Sequence, residues 1–353
     1  MENQRVLIGM SGGVDSSVAA WLIRSAGIAC AGATMALYDT PHSQTDAADA
    51  ASVAQRMGME HHLFSFQEAF DRQVIQAFVR AYEQGLTPNP CIVCNRALKF
   101  GVLLEQALRL GYTHVASGHY AQIRRDEATG RYLLYMAADR AKDQTYFLAC
   151  LNQQQLSHIL FPLGGLTKQE VRTIAQQQGF VNARKRDSQD ICFVPGGDYA
   201  AFLSRYTGQE YPAGDYLNLQ GQVIGQHQGA VRYTIGQRKG LGIALGQPAY
   251  VCAKDMQRNA VTLGPNESLF SPGLLAGDWN WLPFPALTEP LAVTAKIRHS
   301  QFAQSATVYP EENGQARVIF DTPQRAISPG QAVVLYQEDL VIGSGTILRP
   351  CDK

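Results

Sequence analysis

The chain has 353 residues, 46% of them apolar and 17% charged, with 30 basic and 30 acidic side chains. That length points to two or three domains of a soluble globular protein, and zero net charge argues against a general polyanion binder. No apolar run approaches the ~20 residues of a membrane span, and 7 cysteines, an odd count, do not read as a secreted disulfide framework.

With no basic-then-apolar leader, the expected setting is the cytoplasm, with reduced thiols. Residues 6–10, VLIGM, read as a buried strand, and Val18, Ala19, Leu22 and Ile23 then recur at helical spacing. Further strands are expected at 28–35, 62–66 and 114–117, and helices at 16–25, 46–57, 68–83, 95–110 and 167–178. The last helix opens on a capping box, Thr167-Lys168-Gln169-Glu170, and the polar stretch 40–46 reads as a loop. Strands alternating with helices predict an α/β fold with helices on both faces of a sheet. Beyond about residue 205 short strands take over, at 222–224, 249–253, 260–263, 293–297, 306–309, 316–320, 332–336 and 340–343. That half is expected to be β-rich and barrel-like, with 277–285 as a joint between two modules.

Between the first strand and helix lies Ser11-Gly12-Gly13-Val14-Asp15-Ser16. Two glycines and three oxygen-bearing side chains at a helix start suit an anion, since backbone N–H groups and the helix dipole converge there. The loop lacks the lysine of the common nucleotide P-loop, so it suits holding pyrophosphate as a leaving group. Asp15 either meets a metal riding on that pyrophosphate or caps the helix.

Thr87-Pro88-Asn89-Pro90-Cys91-Ile92-Val93-Cys94-Asn95 forms a stiff approach to a helix that Asn95 is expected to cap. Cys94 would then sit beside a helix N-terminus, which favours thiolate. The C-x-x-C spacing also matches half a zinc site, but no second pair completes it, and two packing thiols are the plain alternative. Cys192, between Ile191 and Phe193, reads either as a core residue or as a reactive thiol, with Arg184-Lys185-Arg186 upstream to stabilise its thiolate or to hold phosphate. Cys30, Cys150, Cys252 and Cys351 read as packing. Ser117-Gly118-His119-Tyr120 follows a strand at the edge where α/β sheets bind ligands, though a hydrogen-bonded turn explains it equally. Lys142-Asp143-Gln144 stands at an expected helix start, and Tyr233–Gly242 holds two cations among glycines, as a phosphate-contacting or a mobile loop would.

SGGVDS resembles the loop of the PP-loop ATP pyrophosphatases. With TPNPCIVCNRALKFG, ASGHYA, KDQTYFL, FPLGGLTKQEVR, DSQDICFV, YTIGQRKGLG, KIRHSQ and FDTPQRAISPGQAVVLY in this order, the chain resembles the bacterial tRNA-specific 2-thiouridylases over almost its whole length. The resemblance implies a PP-loop catalytic domain over 1–204, a small β-rich central domain over 205–276 and a C-terminal β-barrel over 277–353. It implies ATP, as substrate and with Mg2+, around Gly9, Met10, Ser11, Gly12, Gly13, Val14, Asp15, Ser16, Met35 and Gly118, and no organic prosthetic group. Asn89, Pro90 and Cys91 would face the target base, and His119, Lys142, Asp143, Gln144, Arg298, His299 and Gln331 would contact tRNA. Cys94 matches the nucleophile and Cys192 the persulfide carrier.

The implied reaction adenylates the C2 oxygen of the wobble uridine and replaces it with sulfur, releasing AMP and pyrophosphate. A persulfide donor or relay protein would load Cys192, and the free enzyme would be a monomer. Two features depart from the pattern. Some members carry an acidic residue where this chain has Cys91, so its proton transfer would fall to another group or to water, and Cys91 becomes a rival partner for Cys94. The segment after Met35 is also short.

Overall fold

The protein is described here by a computed structural model covering residues 4–39, 43–185 and 191–352. Its first strands are β1 (Arg5–Gly9), β2 (Ala29–Ala36), β3 (His61–Ser65), β4 (His114–Ser117), β5 (Gln122–Arg125), β6 (Tyr132–Tyr135) and β7 (Ile159–Leu160). Five of them make a parallel sheet in the order β3-β2-β1-β4-β7. Val6, Leu7 and Ile8 are all fully buried because both faces of β1 are covered. Leu7 packs with Phe100, Leu103 and Leu148, while Val6 and Ile8 pack on the other side with Val18, Ala19 and Val53.

The order places β1 and β4 side by side, one connected to the left and the other to the right, so a crevice opens beyond Gly9 and Ser117. Helix α1 (Val14–Ser25) leaves this crevice, and α2 (Ser43–Arg56) lies beside it. Helix α2 begins at Ser43, inside the stretch read as a loop; residues 40–42 lie outside the described residues. The capping box holds, with Thr167 accepting from the Glu170 N–H at the start of the helix Lys168–Gln177.

The second half carries β8 (Gly214–Leu217), β9 (Val223–His227), β10 (Tyr250–Asp255) and β11 (Ala260–Gly264), a mixed sheet in the order β10-β11-β8-β9. Then β12 (Phe270–Trp281), β13 (Leu291–Lys296), β14 (Gln304–Pro310), β15 (Ala316–Arg325), β16 (Ala332–Gln337) and β17 (Leu340–Cys351) pair antiparallel around a ring that β12 and β17 close. The result is a six-stranded barrel filled by Leu274, Val308, Val318, Phe320, Leu335 and Ile347.

Two sequence expectations give way here. Gly277–Trp281 is barrel wall within β12 rather than part of a joint, because its residues pair with β17. Residue 204 falls inside the helix Tyr199–Thr207, which continuous helical bonding carries past that point.

The barrel is bolted to the parallel-sheet layer. The β5–β6 hairpin joins β17 through Tyr135 and Leu340, and Leu282, Val334, Tyr336 and Val341 share a core with Leu7 and Phe100. Asn280 donates to the carbonyls of Ala149 and Leu151 at 2.8 Å, and Arg131 donates to Leu282 O at 2.7 Å. No helix among the described residues is long and apolar enough to cross a membrane.

Candidate active site

The glycine turn is built before anything binds it. Gly12 has φ +72°, and a Cβ there would overlap the Asp46 carbonyl at the start of α2. Its carbonyl accepts from Asn182 Nδ2 at 3.0 Å and from Lys185 Nζ at 3.2 Å. Ser16 Oγ accepts from Ser11 N–H at 3.2 Å and donates to Gly13 O at 3.1 Å. Gly13 is the extended residue before α1, and no side chain caps that helix, so its first-turn amides are left for an outside acceptor.

Across the crevice, Gly118 follows β4. A Cβ there would lie 2.6 Å from the Asp15 carbonyl carbon and the Ser16 nitrogen. Met10 is buried and Met35 half-buried at the ends of neighbouring strands. The residues assigned to ATP therefore converge at one edge of the parallel sheet.

Asp15 has partners of its own. Lys168 Nζ contacts both its oxygens at 2.8 Å and Tyr120 OH donates to Oδ1 at 2.9 Å. A carboxylate so engaged does not cap the helix. Among the described residues no three His, Cys, Asp or Glu side chains are arranged to hold a metal ion. Of the two duties expected of the Arg184-Lys185-Arg186 cluster, thiolate or phosphate, Lys185 stands at the glycine turn, on the phosphate side. Partial burial opposes its charge, but Asp46 and Asp49, each 2.7 Å away, outweigh that and hold it above the usual lysine range. Arg186 and residues 187–190, also singled out from sequence, lie outside the described residues.

The cysteine helix starts earlier than expected. Helix α3 (Pro90–Cys94) has Pro90 in its first turn and Asn89 as its cap, accepting from Cys91 N–H at 3.2 Å. Asn95 is therefore inside a continuing helical segment, Asn95–Val102, that turns with π geometry; its Nδ2 donates to Phe147 O at 3.2 Å. Cys94 is thus interior and 8% exposed, and burial pushes its thiol up rather than down.

Cys192 comes to meet it. Phe193 is buried against Phe70, Phe78 and Phe202, with ring centroids 5.7, 5.2 and 5.2 Å away, in the cluster that also holds Cys94. That anchor leaves Cys192 exposed, so it is not a core residue. Desolvation by its surroundings, with the neighbouring Cys94 and Cys91, pushes its thiol up to about 11. Cys91 is exposed on α3, and partial burial raises its thiol too.

The cation that opposes all three shifts is Lys99, which sequence reasoning passed over. Five residues separate it from Cys94, off the face of an α-helix, but i→i+5 bonding in the π turn brings such pairs together. With Lys99→Gln, thiolate forms at higher pH. The thiolate-dependent rate should fall by up to about tenfold at neutral pH and recover as pH is raised. A pH–rate profile that does not move would remove Lys99 from the site.

The residues assigned to tRNA fall into two sets. His119 lies between Phe100 and Phe161, bonded through Nδ1 to Ser117 Oγ at 2.8 Å, and burial together with Lys99 keeps it neutral, well below its usual range. Gln144 accepts from Tyr120 N–H at 2.9 Å, and Lys142 beside it is half-buried. Asp143 is 8% exposed and accepts from Ala137 N–H and Thr145 Oγ1.

The second set is on the barrel side, where Gln331 bridges to the Thr87–Pro90 approach. Gln331 Nε2 donates to Thr87 O at 2.9 Å, and Thr87 N–H donates to Pro329 O at 2.8 Å. His299 packs on Phe147 with centroids 4.5 Å apart, and Arg298 donates to the carbonyls of Arg325 and Ala326.

A parallel sheet whose first strand runs into this glycine turn, with an anion-ready helix start at the crevice, defines a nucleotide-using α/β domain. Residues 4–196 match the family model described as the tRNA methyl transferase HUP domain. Residues 200–265 match its PRC-barrel domain, and 271–347 an aminomethyltransferase beta-barrel domain. The chain is 44% identical to the tRNA-specific 2-thiouridylase MnmA of Acetivibrio thermocellus, over 98% of this chain and 100% of that one. It is 47% identical to that of Heliobacterium modesticaldum over 99% and 94%, and 48% identical to that of Symbiobacterium thermophilum over 98% and 92%. The chain belongs to the tRNA-specific 2-thiouridylase family.

Proposed function

We propose that this protein is an ATP-dependent tRNA-uridine 2-sulfurtransferase in which the glycine turn drives adenylation and Cys94 and Cys192 transfer the sulfur. The observation that carries the reading is that Phe193 packs in the cluster holding Cys94 and so brings its neighbour Cys192 to the same place in the fold, in a chain that also carries a phosphate-ready helix start.

ATP lies with its β- and γ-phosphates on the first-turn amides of α1, with Ser11 and Ser16 hydroxyls beside them. Mg2+ carried by the nucleotide would neutralise the departing pyrophosphate, and Asp15, held by Lys168 and Tyr120, stands in the first turn of α1 beside it. The wobble base leaves its stack to enter between Asn89, Pro90 and Cys91. Its C2 oxygen attacks the α-phosphorus and pyrophosphate leaves. AMP then makes C2 susceptible to a sulfur nucleophile.

Cys192 carries a persulfide loaded by a donor. Its terminal sulfur attacks C2, AMP leaves, and Cys94 thiolate attacks the Cys192 sulfur, freeing 2-thiouridine and joining Cys94 to Cys192. Alternatively Cys94 attacks first and the released hydrosulfide reaches C2; both routes end in the same disulfide. Lys142, Asp143, Gln144, Arg298, His299 and Gln331 line or support the surface along which tRNA lies. We further propose three domains in the order catalytic, central and barrel, working as a monomer in the cytoplasm.

The test is incubation with ATP, tRNA and a persulfide source, followed by nucleoside analysis. Stoichiometric 2-thiouridine, AMP and pyrophosphate are expected. Pyrophosphate release without thionucleoside would instead favour an amide-forming relative of the same fold.

A further inference from the structure

Three thiols, not two, share the site. Cys91 and Cys94 lie on one helix with i,i+3 spacing, which sets their Cα atoms ~5 Å apart, inside the range a disulfide spans. Cys192 is flanked by Ile191 and Phe193, which pack in the cluster that holds Cys94, and it lies within the electrostatic reach of both thiols. Their access to solvent differs: Cys94 is buried, while Cys91 and Cys192 are exposed.

The transfer proposed above ends with Cys94 oxidised, and a buried sulfur is a poor target for an external reductant. Attack on the exposed Cys192 sulfur would instead occupy the thiol that must be reloaded. Cys91 offers a third way out.

We propose that Cys91 is a resolving thiol that accepts the disulfide from Cys192 and presents it to an external dithiol reductant. The proposal rests on the sulfur-transfer reading. Cys91 thiolate attacks the Cys94 sulfur of the Cys94–Cys192 bond. The Cys91–Cys94 bond forms, the Cys94–Cys192 bond breaks, and Cys192 departs as thiolate and takes a proton from water. No net oxidation occurs in this exchange. The reductant then attacks the exposed Cys91 sulfur, Cys94 leaves as thiolate, and the second thiol of the reductant displaces Cys91. Two electrons pass from the dithiol to the enzyme. Cys192 is free for reloading from the moment of the exchange.

The experiment maps disulfides in the full-length enzyme in two arms. In one, persulfide-loaded enzyme turns over once with ATP and tRNA without reductant, then is acid-quenched and alkylated. In the other, tRNA-free enzyme is oxidised with one equivalent of diamide and treated alike. A Cys91–Cys94 bond with alkylated Cys192 is expected in both arms. For Cys91→Ser, Cys94–Cys192 should persist. The rate of its second turnover relative to its own first should drop at least about tenfold with a dithiol protein as reductant, and recover with a small phosphine.

A Cys94–Cys192 bond as the sole product in both arms, with Cys91 alkylated, would overturn the proposal, as would a wild-type turnover ratio in Cys91→Ser. If the wild type makes no 2-thiouridine in the first arm, the sulfur-transfer reading fails, and the diamide arm still decides whether Cys91 or Cys192 is the stable disulfide partner of Cys94.

Discussion

Replacing Cys94 or Cys192 with serine should abolish 2-thiouridine formation while tRNA-dependent pyrophosphate release continues. In the proposed reaction the two half-reactions use different residues. Adenylation is assigned to the α1 amides and the Gly12 turn, and sulfur transfer to the two cysteines. Sulfur transfer needs a thiolate that can both carry and attack sulfur, and a serine hydroxyl does neither near neutral pH. The loss should be at least about a thousandfold, because a serine hydroxyl neither holds the persulfide sulfur nor displaces it.

The two variants should also differ in a telling way. Cys192→Ser cannot be loaded with persulfide, whereas Cys94→Ser loads and then stalls. Cys94 is buried among Phe70, Phe78, Leu98 and Phe193, so a serine there buries a hydroxyl and costs about 1–3 kcal/mol of stability. Cys94→Ala provides the control that removes the thiol without adding a polar group. Thionucleoside produced by Cys94→Ala or Cys192→Ser would remove the thiol assignments.

The parts of this site that were legible in the sequence are those whose causes are local. A strand, a double-glycine turn and a helix follow one another within residues 5–25, and the structure repeats that order with β1, Gly12–Gly13 and α1. The capping box at Thr167 is equally local. The start of α3 was misjudged because proline stiffens what precedes it yet is also favoured at a first helical position. Asn89 has φ −112° and ψ 96°, the extended conformation required before Pro90, and the helix begins at once.

What sequence did not yield depends on long-range packing. Lys168 reaches Asp15, Asn182 reaches Gly12, and Phe193 anchors Cys192 against the helix of Phe78. The β5–β6 hairpin carries Arg124 and Arg125 and finds its sheet partner only at Leu340. Lys99 was hidden by a change of helical period. All but the last are contacts between segments whose separate sequences give no sign of the other.

Gly12→Ala should nearly eliminate pyrophosphate release while leaving persulfide loading of Cys192 intact. A left-handed conformation costs a non-glycine residue about 1–2 kcal/mol, and Gly12 sits at φ +72°. The new Cβ would also overlap the Asp46 carbonyl, forcing the turn and the start of α2 apart at about 1–3 kcal/mol. Either response moves the Gly12 carbonyl off Asn182 and Lys185, and so moves the amides that meet the phosphates. A combined effect near 3 kcal/mol corresponds to about a hundredfold loss of rate. Gly13→Ala is the matched control: at φ −90° its Cβ would meet only Ser11 Oγ at 3.4 Å, so less than about tenfold is expected. Equal rates for Gly12→Ala and the wild type would mean that the nucleotide is gripped somewhere else.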